Sequence, residues 1–368
     1  TGGSDFFSNL ALAAMGTRRG GPAKTAVIAS MLFGSISGSP PANVATTGQI
    51  TISMMKKNGY SNNMAGAVEA VASTGGSFTP PIMGSAAFLV ADFLNISYWS
   101  VCVGAFLPAL LYYGALLFQV DAEAVRIGAK GLPREQLPKI GKVLREGWYY
   151  IFPFGVLVYT LGIMHYSAET SILYTLGSMI LATSVSPKHR LNFRKLITVL
   201  EDTAQGLYSL IPLCAVIGIL VGAMTVTGAG SNLSSELLNL AGSNAYLMLA
   251  LAGIASFFLG MGMTALACYL LTVTMLAPAL VDSGIYPLSA HLFLFYYGSL
   301  SFITPPVAVA AFVAASIADG DPTKTGLESM RLGIAAYLVP WAFVANPALL
   351  FHGTWLEIIF AFSHSFFG

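Results

Sequence analysis

The sequence predicts an all-α polytopic membrane protein, an inverted repeat that contains two re-entrant helical hairpins and two broken transmembrane helices. Three observations support this. Of the 368 residues, 55% are hydrophobic and only 9% are charged, against about 25% charged in soluble domains. Glycine- and proline-rich breaks interrupt long apolar runs at residues 34–41 (GSISGSPP) and 79–81 (TPP). A related pair of breaks returns in the second half of the chain, at 260–264 (GMGMT) and 304–306 (TPP), in one register that also pairs Gly59 with Gly284.

These breaks have a physical consequence. An unpaired backbone N–H or C=O group in hydrocarbon costs several kcal/mol. Non-helical backbone is therefore tolerated at membrane depth only inside protein or beside a water-filled cavity. The breaks consequently predict a buried site for an ion or a solute.

The apolar segments, at about 20 residues per crossing, define the order of elements. Residues 25–55 carry no charge, are too long for one span and too short for two, and break in the middle, which favours a re-entrant hairpin. The broken spans are 62–94 and 288–317, and 245–281 forms the second hairpin. Unbroken spans are expected at 98–120, 147–165, 168–186, 206–228, 333–350 and 354–367.

This order divides the chain into six segments. They are 1–24, the end of a preceding helix and a basic cytoplasmic turn; 25–94, the first hairpin and broken span; 95–146, a span and an amphipathic cytoplasmic connector; 147–228, scaffold-type spans with a basic connector; 229–317, the second hairpin and broken span; and 318–368, the C-terminal spans.

The charge distribution tests this topology. When both hairpins return to the side they enter from, all 17 Lys and Arg residues fall on one side of the membrane. A full first span in place of the first hairpin would destroy this segregation. By the positive-inside rule the basic side is the cytoplasm, and the second hairpin enters from the opposite side. The two units are therefore predicted to be inverted, which is the plan of secondary transporters with discontinuous helices.

Each break offers oxygen ligands for a cation. Freed carbonyls and Ser or Thr hydroxyls are hard oxygen ligands, while half-helix N-termini attract anions. The candidates in the first unit are Ser35, Ser37, Gly38, Ser39, Asn43, the carbonyl of Phe78 and the hydroxyl of Thr79. The candidates in the second unit are Gly262, Thr264, the carbonyl of Ile303, and Thr304.

Glu69 is the one acid well inside a predicted span. An intramembrane carboxylate is a functional suspect, and both a proton or cation ligand and a structural hydrogen-bonded role stay open. Asp92, near the far end of the same span, is interpreted as a solvated end. The sequence shows no Walker A, GxSxG, HExxH or CxxC motif, so we expect neither an enzyme nor a nucleic-acid partner.

The segments FGSISGSPPANVATTGQITISMMKKNGY (33–60) and AGAVEAVASTGGSFTPPIMG (65–84) resemble the large membrane subunit of tripartite ATP-independent periplasmic (TRAP) transporters. The second segment is similar to the fused permeases of the TAXI branch, and SFITPPVAVAAFVAASIADGDPTKTGLESMRLG (301–333) continues the likeness. Spans that this family places earlier are missing here. We therefore expect a C-terminal portion, with the small membrane subunit fused upstream.

The resemblance implies a sodium-driven elevator-type importer in the inner membrane of a bacterium or archaeon. It would receive a small organic anion from a TAXI-type extracytoplasmic solute-binding protein and use sodium ions without an organic cofactor. The resemblance places sodium at residues 35–38 with the Thr79 break and at 262–264 with the Thr304 break. It places the solute between the hairpin tips, near Ser39, Pro40, Pro80, Met263 and Pro305.

Two other transport functions remain possible on the sequence. One is a sodium/dicarboxylate symporter of related fold that works without a binding protein. The other is a channel, which would conduct continuously and without stoichiometric coupling between ion and solute.

Overall fold

The computed structural model describes residues 3–185, 193–242 and 244–367, and within these ranges it contains only helices, turns and connecting segments. The predicted all-α class is confirmed. The α-helices are α1 Gly3–Met15, α2 Gly21–Ser37, α3 Pro40–Lys57, α4 Asn62–Gly76, α5 Ser85–Leu94, α6 Tyr98–Arg126, α7 Ile140–Gly162, α8 Ala168–Val185, α9 Phe193–Thr227, α10 Ala229–Ala241, α11 Ala245–Gly260, α12 Ala265–Asp282, α13 Pro287–Leu300, α14 Val309–Ala318, α15 Pro322–Leu332, α16 Ile334–Ala345 and α17 Trp355–Phe367. Two short 3₁₀ helices lie at Arg134–Gln136 and Pro347–Leu350.

The helices α2 and α3 form a packed pair joined by a tight turn. Gly38 ends α2 in the left-handed region, with φ of +61°, which glycine adopts without steric cost. Pro40 and Pro41 begin α3, where a missing N–H is harmless because the first turn has no intrahelical acceptor for it. The next apolar segment then breaks between α4 and α5, at residues 77–84.

The second unit repeats this layout in the predicted register. α3 (Pro40–Lys57) corresponds residue for residue to α12 (Ala265–Asp282). Pro80–Pro81 and Pro305–Pro306 are both cis peptide bonds. The positive φ angles of Gly59 and Gly284 also match, at +95° and +91°. The two units therefore share backbone conformation as well as sequence anchors.

The two broken units cross each other. α4 packs against α2 and α3 of its own unit and against α14 of the other. In the same way α13 packs against α11 and α12 of its own unit and against α5 of the other. The downstream half of each broken segment thus contacts the upstream half of its counterpart, which gives the core a pseudo-two-fold arrangement.

Ion pairs join basic residues near the helix ends to acidic residues on other elements. Arg19 and Lys24, around the start of α2, both pair with Asp121 near the end of α6. Lys56, at the end of α3, donates to the carbonyl oxygen of Ala318 over 2.6 Å, and its ammonium lies 3.3 Å from the Asp319 carboxylate. The basic turn before α2 therefore meets the end of α6, and the end of α3 meets the turn that follows α14.

Helices extend into both predicted connectors. α6 continues to Arg126 and α7 begins at Ile140, so residues 127–139 lie between the two helices within the predicted connector 121–146. The basic stretch 188–202 is helical from Phe193, where the long helix α9 begins, and residues 186–192 lie outside the described ranges. Lys and Arg are good helix formers, and their stems lie along apolar surface while the charges stay in water. Lys and Arg residues therefore do not terminate α7 or α9.

Two of the described helices, Tyr98–Arg126 and Ala265–Asp282, are long and apolar enough to cross a membrane individually. Ser85–Leu94, Ala245–Gly260 and Val309–Ala318 are apolar but shorter. The short helices are the arms and halves of the interrupted units, so the breaks account for their length.

The crossing of α4 with α14 and α15 depends on Gly66. A Cβ atom at Gly66 would lie 3.0 Å from Thr325 Cγ2 and 3.4 Å from the Ala314 backbone. We expect Gly66→Leu to destabilise the protein by about 1–3 kcal/mol through overpacking. Gly155→Leu on α7 is the control, because nothing lies within 4 Å of a Cβ there. Thermal unfolding in detergent measures both variants, and equal melting temperatures would contradict this packing.

Candidate functional site

The tip of the first hairpin is built against the first break. The N–H of Met83 donates to the carbonyl oxygen of Ser35 over 3.0 Å. A Cβ atom added to Gly38 would lie 2.5 Å from the Met83 carbonyl oxygen and 2.6 Å from Gly84 Cα. Backbone therefore meets backbone at this contact, and it leaves no room for a side chain.

The second hairpin meets the second break in a similar manner. Ser301 Oγ lies 2.9 Å from the carbonyl oxygen of Gly260 and 2.8 Å from that of Gly298. A Cβ atom at Gly260 would lie 2.7 Å from the Gly298 carbonyl oxygen. At the second tip, the Ser301 hydroxyl and the close approach of Gly260 to Gly298 therefore take the place of the Met83–Ser35 backbone hydrogen bond of the first tip.

The two threonines before the proline pairs have equivalent positions. Thr79 donates its hydroxyl proton to the Gly75 carbonyl over 2.7 Å, and Thr304 donates to Leu300 over the same distance. Because each threonine hydroxyl proton is donated to a carbonyl of the preceding turn, the lone pairs of each Oγ1 remain able to accept a hydrogen bond or bind a cation. Thr304 Oγ1 also lies 2.5 Å from the hydroxyl of Tyr337, which donates to it when Thr304 donates to Leu300.

Free carbonyls accompany these hydroxyls. Within the described ranges, no hydrogen bond ends on the carbonyl oxygen of Phe78 or of Ile303. The neighbouring carbonyls are used, since Ser77 accepts from Gly84 over 2.6 Å and Phe302 accepts from Ala310 over 3.0 Å. Each break therefore presents one unpaired carbonyl beside one threonine oxygen.

The polar side chains of the first hairpin divide into engaged and unpaired groups. Ser35 Oγ donates to the Leu32 carbonyl over 2.9 Å. Asn43 is fully buried, and its amide donates to the Ser30 carbonyl over 2.8 Å, which joins the two arms. Ser37 Oγ is buried and has no hydrogen-bond partner among the described residues. Of these three side chains, Ser37 has the hydroxyl that is available to a ligand.

The two tips differ at the start of their second arms. Thr264 Oγ1 caps α12 by accepting from the N–H of Ala267 over 3.3 Å. Ser39 holds the same position before α3, makes no such bond and is exposed. Gly262 has φ of +75°, with open space where a side chain would stand.

The residues predicted to bind the solute are distributed over both units. Pro40 is buried beside the exposed Ser39, and Pro80, Met263 and Pro305 are half-buried. The polar contacts described above join each tip to its own break, so the structure assembles two half-sites. That the five residues form a single solute site stays a prediction.

An aromatic cluster connects the half-sites. The Phe78 ring stacks on Tyr296, with 3.9 Å between centroids, and meets Tyr112 edge-on at 5.2 Å. Sequence reasoning missed these tyrosines and Tyr337. The signal that it could have used is again the repeat, because Tyr112 and Tyr337 are paired by the same register that pairs Thr79 with Thr304.

The first tip generates a prediction about Gly38. We expect Gly38→Ala to impair docking of the hairpin, because the new methyl group would meet backbone and the φ angle is unfavourable for alanine. Gly59→Ala is the matched control: it has positive φ but nothing within 4 Å of a Cβ, so it adds about 1 kcal/mol of backbone strain without a clash. Thermal unfolding and limited proteolysis at the tip compare the two. A Gly38→Ala protein as stable as Gly59→Ala would contradict the close contact.

Comparison with known proteins assigns this chain to a family. The family model described as "Tripartite ATP-independent periplasmic transporter, DctM component" matches residues 1–358. An isethionate TRAP transporter permease protein, DctMQ, of Oleidesulfovibrio alaskensis is 26% identical over 345 residues, covering 92% of this chain and 53% of the relative. The sialic acid TRAP transporter permease protein SiaT of Haemophilus influenzae is 22% identical over 350 residues, covering 92% of this chain and 54% of the relative.

A shorter match has a higher identity. The C4-dicarboxylate TRAP transporter large permease protein DctM of Vibrio cholerae is 37% identical over 125 residues, covering 34% of this chain and 26% of the relative. The chain spans about half the length of DctMQ and SiaT. Since the family model covers nearly the whole chain, the chain belongs to the DctM family of TRAP transporter components, which are integral membrane permeases and not enzymes.

Proposed function

We propose that this protein is a sodium-coupled permease that imports a small organic anion delivered by an extracytoplasmic solute-binding protein. One observation carries the proposal: the same constellation occurs twice, once in each unit of the repeat. Each hairpin tip packs on a TPP break that presents a threonine oxygen, Thr79 or Thr304, and an unpaired carbonyl, Phe78 or Ile303. Repeated discontinuous helices are the usual setting for coupled ion and solute sites.

The proposed cation is sodium because every candidate ligand is a neutral, hard oxygen atom. In the first unit the ligands are Ser37 Oγ, Thr79 Oγ1 and backbone carbonyls of residues 35–38 and 78. In the second unit they are Thr304 Oγ1 and carbonyls of residues 262–264 and 303. Among the described residues, no group of three or more His, Cys, Asp or Glu has metal-binding geometry, and the proposed ligands belong to a different class from those of a transition metal.

The proposed solute is an organic anion for two reasons. The N-termini of α3 and α12, at Ser39 and Thr264, offer the positive ends of helix dipoles. The names of the relatives specify isethionate, C4-dicarboxylate and sialic acid, all of them small organic acids. Ordered sodium ions beside the solute would reduce the electrostatic cost of carrying a carboxylate through the membrane.

The proposed transport motion is an elevator. Segments 25–94 and 229–317 would move together as the transport domain, since α4 contacts α14 and α5 contacts both α12 and α13. Segment 147–228 would form the scaffold, and its exposed apolar side chains, such as Leu173 and Leu181 at 69% exposure each, suit contact with lipid. Both hairpins would be re-entrant, the basic turns would face the cytoplasm, and the binding protein and fused small subunit would be of the TAXI type.

Transport by reconstituted protein tests the function. We expect uptake of a labelled organic acid into proteoliposomes to require both an inward sodium gradient and the cognate binding protein. Uptake at full rate without the binding protein would instead favour a binding-protein-independent symporter. Unchanged uptake without sodium would contradict the coupling.

Ser37→Ala and Thr304→Ala each remove one proposed sodium ligand. We expect the sodium concentration for half-maximal uptake to rise about 5- to 10-fold in each variant, the equivalent of losing about one hydrogen-bond-sized interaction. Thr46→Ala is the control, because Thr46 lies on the exposed face of α3 and its hydroxyl bonds to the Ala42 carbonyl, as Thr304 bonds to Leu300. Sodium dependence equal to that of Thr46→Ala in both variants would remove these residues from the ligand set.

The proposed orientation places Lys57 in the cytoplasm and Asn95 outside, and both residues are exposed. We expect a membrane-impermeant maleimide to label Asn95→Cys in intact cells and Lys57→Cys only after permeabilisation. The parent protein serves as the blank. Labelling of Lys57→Cys but not of Asn95→Cys in intact cells would show that the first hairpin is a full span.

A further inference from the structure

Glu69 lies in α4, is fully buried, and is surrounded by hydroxyl groups. Its Oε1 lies 2.7 Å from Ser30 Oγ, 2.5 Å from Thr47 Oγ1 and 3.2 Å from Ser73 Oγ. Its Oε2 lies 2.6 Å from Thr51 Oγ1. The hydroxyls come from α2, α3 and α4, so one carboxyl group joins both arms of the first hairpin to the broken segment.

None of the charged side chains on the helices that pack against α4 forms an ion pair with Glu69 in the described ranges. No Lys, Arg or His nitrogen in these ranges lies within 4.0 Å of the Glu69 carboxylate, and α14 carries no titratable side chain. Tyr113, the phenol nearest in α6, donates to the Ala72 carbonyl over 2.6 Å. The remaining titratable groups on these neighbours are Lys24 of α2, Lys56 and Lys57 of α3, Tyr98, Cys102, Tyr112, Asp121, Glu123 and Arg126 of α6, and Lys324, Glu328 and Arg331 of α15.

The hydroxyl cluster satisfies Glu69 in either protonation state without movement of a heavy atom. When Glu69 is ionised, all four hydroxyls donate to it. When Glu69 is protonated, Oε2 donates to Thr51 Oγ1, and Thr51 turns its own proton to the Thr47 carbonyl oxygen, which lies 3.0 Å away. Because a buried polar group without a partner is costly, two complete hydrogen-bond patterns make both states accessible.

The second repeat shows that this carboxyl group is not required for packing. The position equivalent to Glu69 in the register of the repeat is Leu294, which is fully buried in α13. Thr272 stands in place of Thr47 and bonds within its own helix to the Cys268 carbonyl over 2.8 Å. Since an apolar residue supports the same helix arrangement, the cost of burying an acid in the first repeat points to a role beyond folding.

We propose that Glu69 is a proton-binding site that controls how tightly the first hairpin is held to α4. The reaction is the gain or loss of one proton at the carboxyl group, exchanged with bulk water. The ionised form receives charge-assisted hydrogen bonds from α2 and α3, which are about twice as strong as neutral ones. Proton binding therefore weakens the attachment of the hairpin, and release of the proton strengthens it.

Infrared difference spectroscopy tests the proposal without any transport readout. Purified protein in lipid is titrated with acid, in H₂O and in D₂O. We expect the deuterium-sensitive carboxyl band that the wild type gains on acidification to contain a component, of intensity equal to one group per chain, that is missing from Glu69→Gln. Asp92→Asn is the control, because it removes an exposed acid from α5, the other half of the same broken segment, and should retain this component. Superimposable spectra of wild type and Glu69→Gln would overturn the proposal.

A second pair of variants keeps Glu69 itself and guards against misfolding of Glu69→Gln. Thr51→Val removes the hydroxyl that changes between donor and acceptor, whereas Thr51→Ser retains it. We expect Thr51→Val to displace the titration midpoint of the Glu69 component by about one pH unit, the size of one hydrogen bond, and Thr51→Ser to leave it in place. An unchanged midpoint in Thr51→Val would also overturn the proposal.

Discussion

Backbone hydrogen bonding at two helix breaks is the constraint on which the structure depends. Hydrocarbon offers no partner to a free N–H or C=O, so a chain that interrupts a membrane helix must supply partners from protein. At the first break the hairpin tip does this, with the N–H of Met83 bonded to Ser35, while Gly84 bonds back to Ser77. At the second break, Ala310 bonds back to Phe302, and Ser301 reaches the Gly260 carbonyl. The hairpins therefore supply some of the hydrogen-bond partners that the backbone at the breaks requires. The carbonyls that stay unpaired are the candidate cation ligands.

The repeat explains how one solution is used twice, and its departures from symmetry locate specialised chemistry. The proline pairs, the threonine hydroxyls and the positive φ angles of Gly59 and Gly284 recur in a single constant register. The side chains around them differ: Thr264 caps its helix where Ser39 does not, and Leu294 stands where the first unit has Glu69. The features that both units share stabilise the helix break. The carboxyl group of Glu69, which the second unit lacks, is the candidate for a function specific to the first unit.

The sequence predicted the helical breaks well because proline, glycine and charge act locally. Proline at 80 and 81 removes donors, and the uncharged stretch 25–55 is too long for one span, so neither inference needed tertiary information. The sequence left the helix ends within the basic connectors open, because Lys and Arg permit both a helix and a loop, and the structure has a helix there from Phe193. The partners of Glu69 and the Phe78–Tyr296 stack were beyond sequence reasoning, since they depend on how α2, α3, α4 and α13 meet in space.

Sodium binding to the purified protein tests the central claim that the two tip-and-break contacts are equivalent cation sites. Equilibrium binding of radiolabelled sodium should show two saturable ions per chain, with the affinity of one lowered about 5- to 10-fold in Ser37→Ala and that of the other in Thr304→Ala. Binding that is unchanged in both variants, or a single saturable ion that both variants affect, would contradict the account.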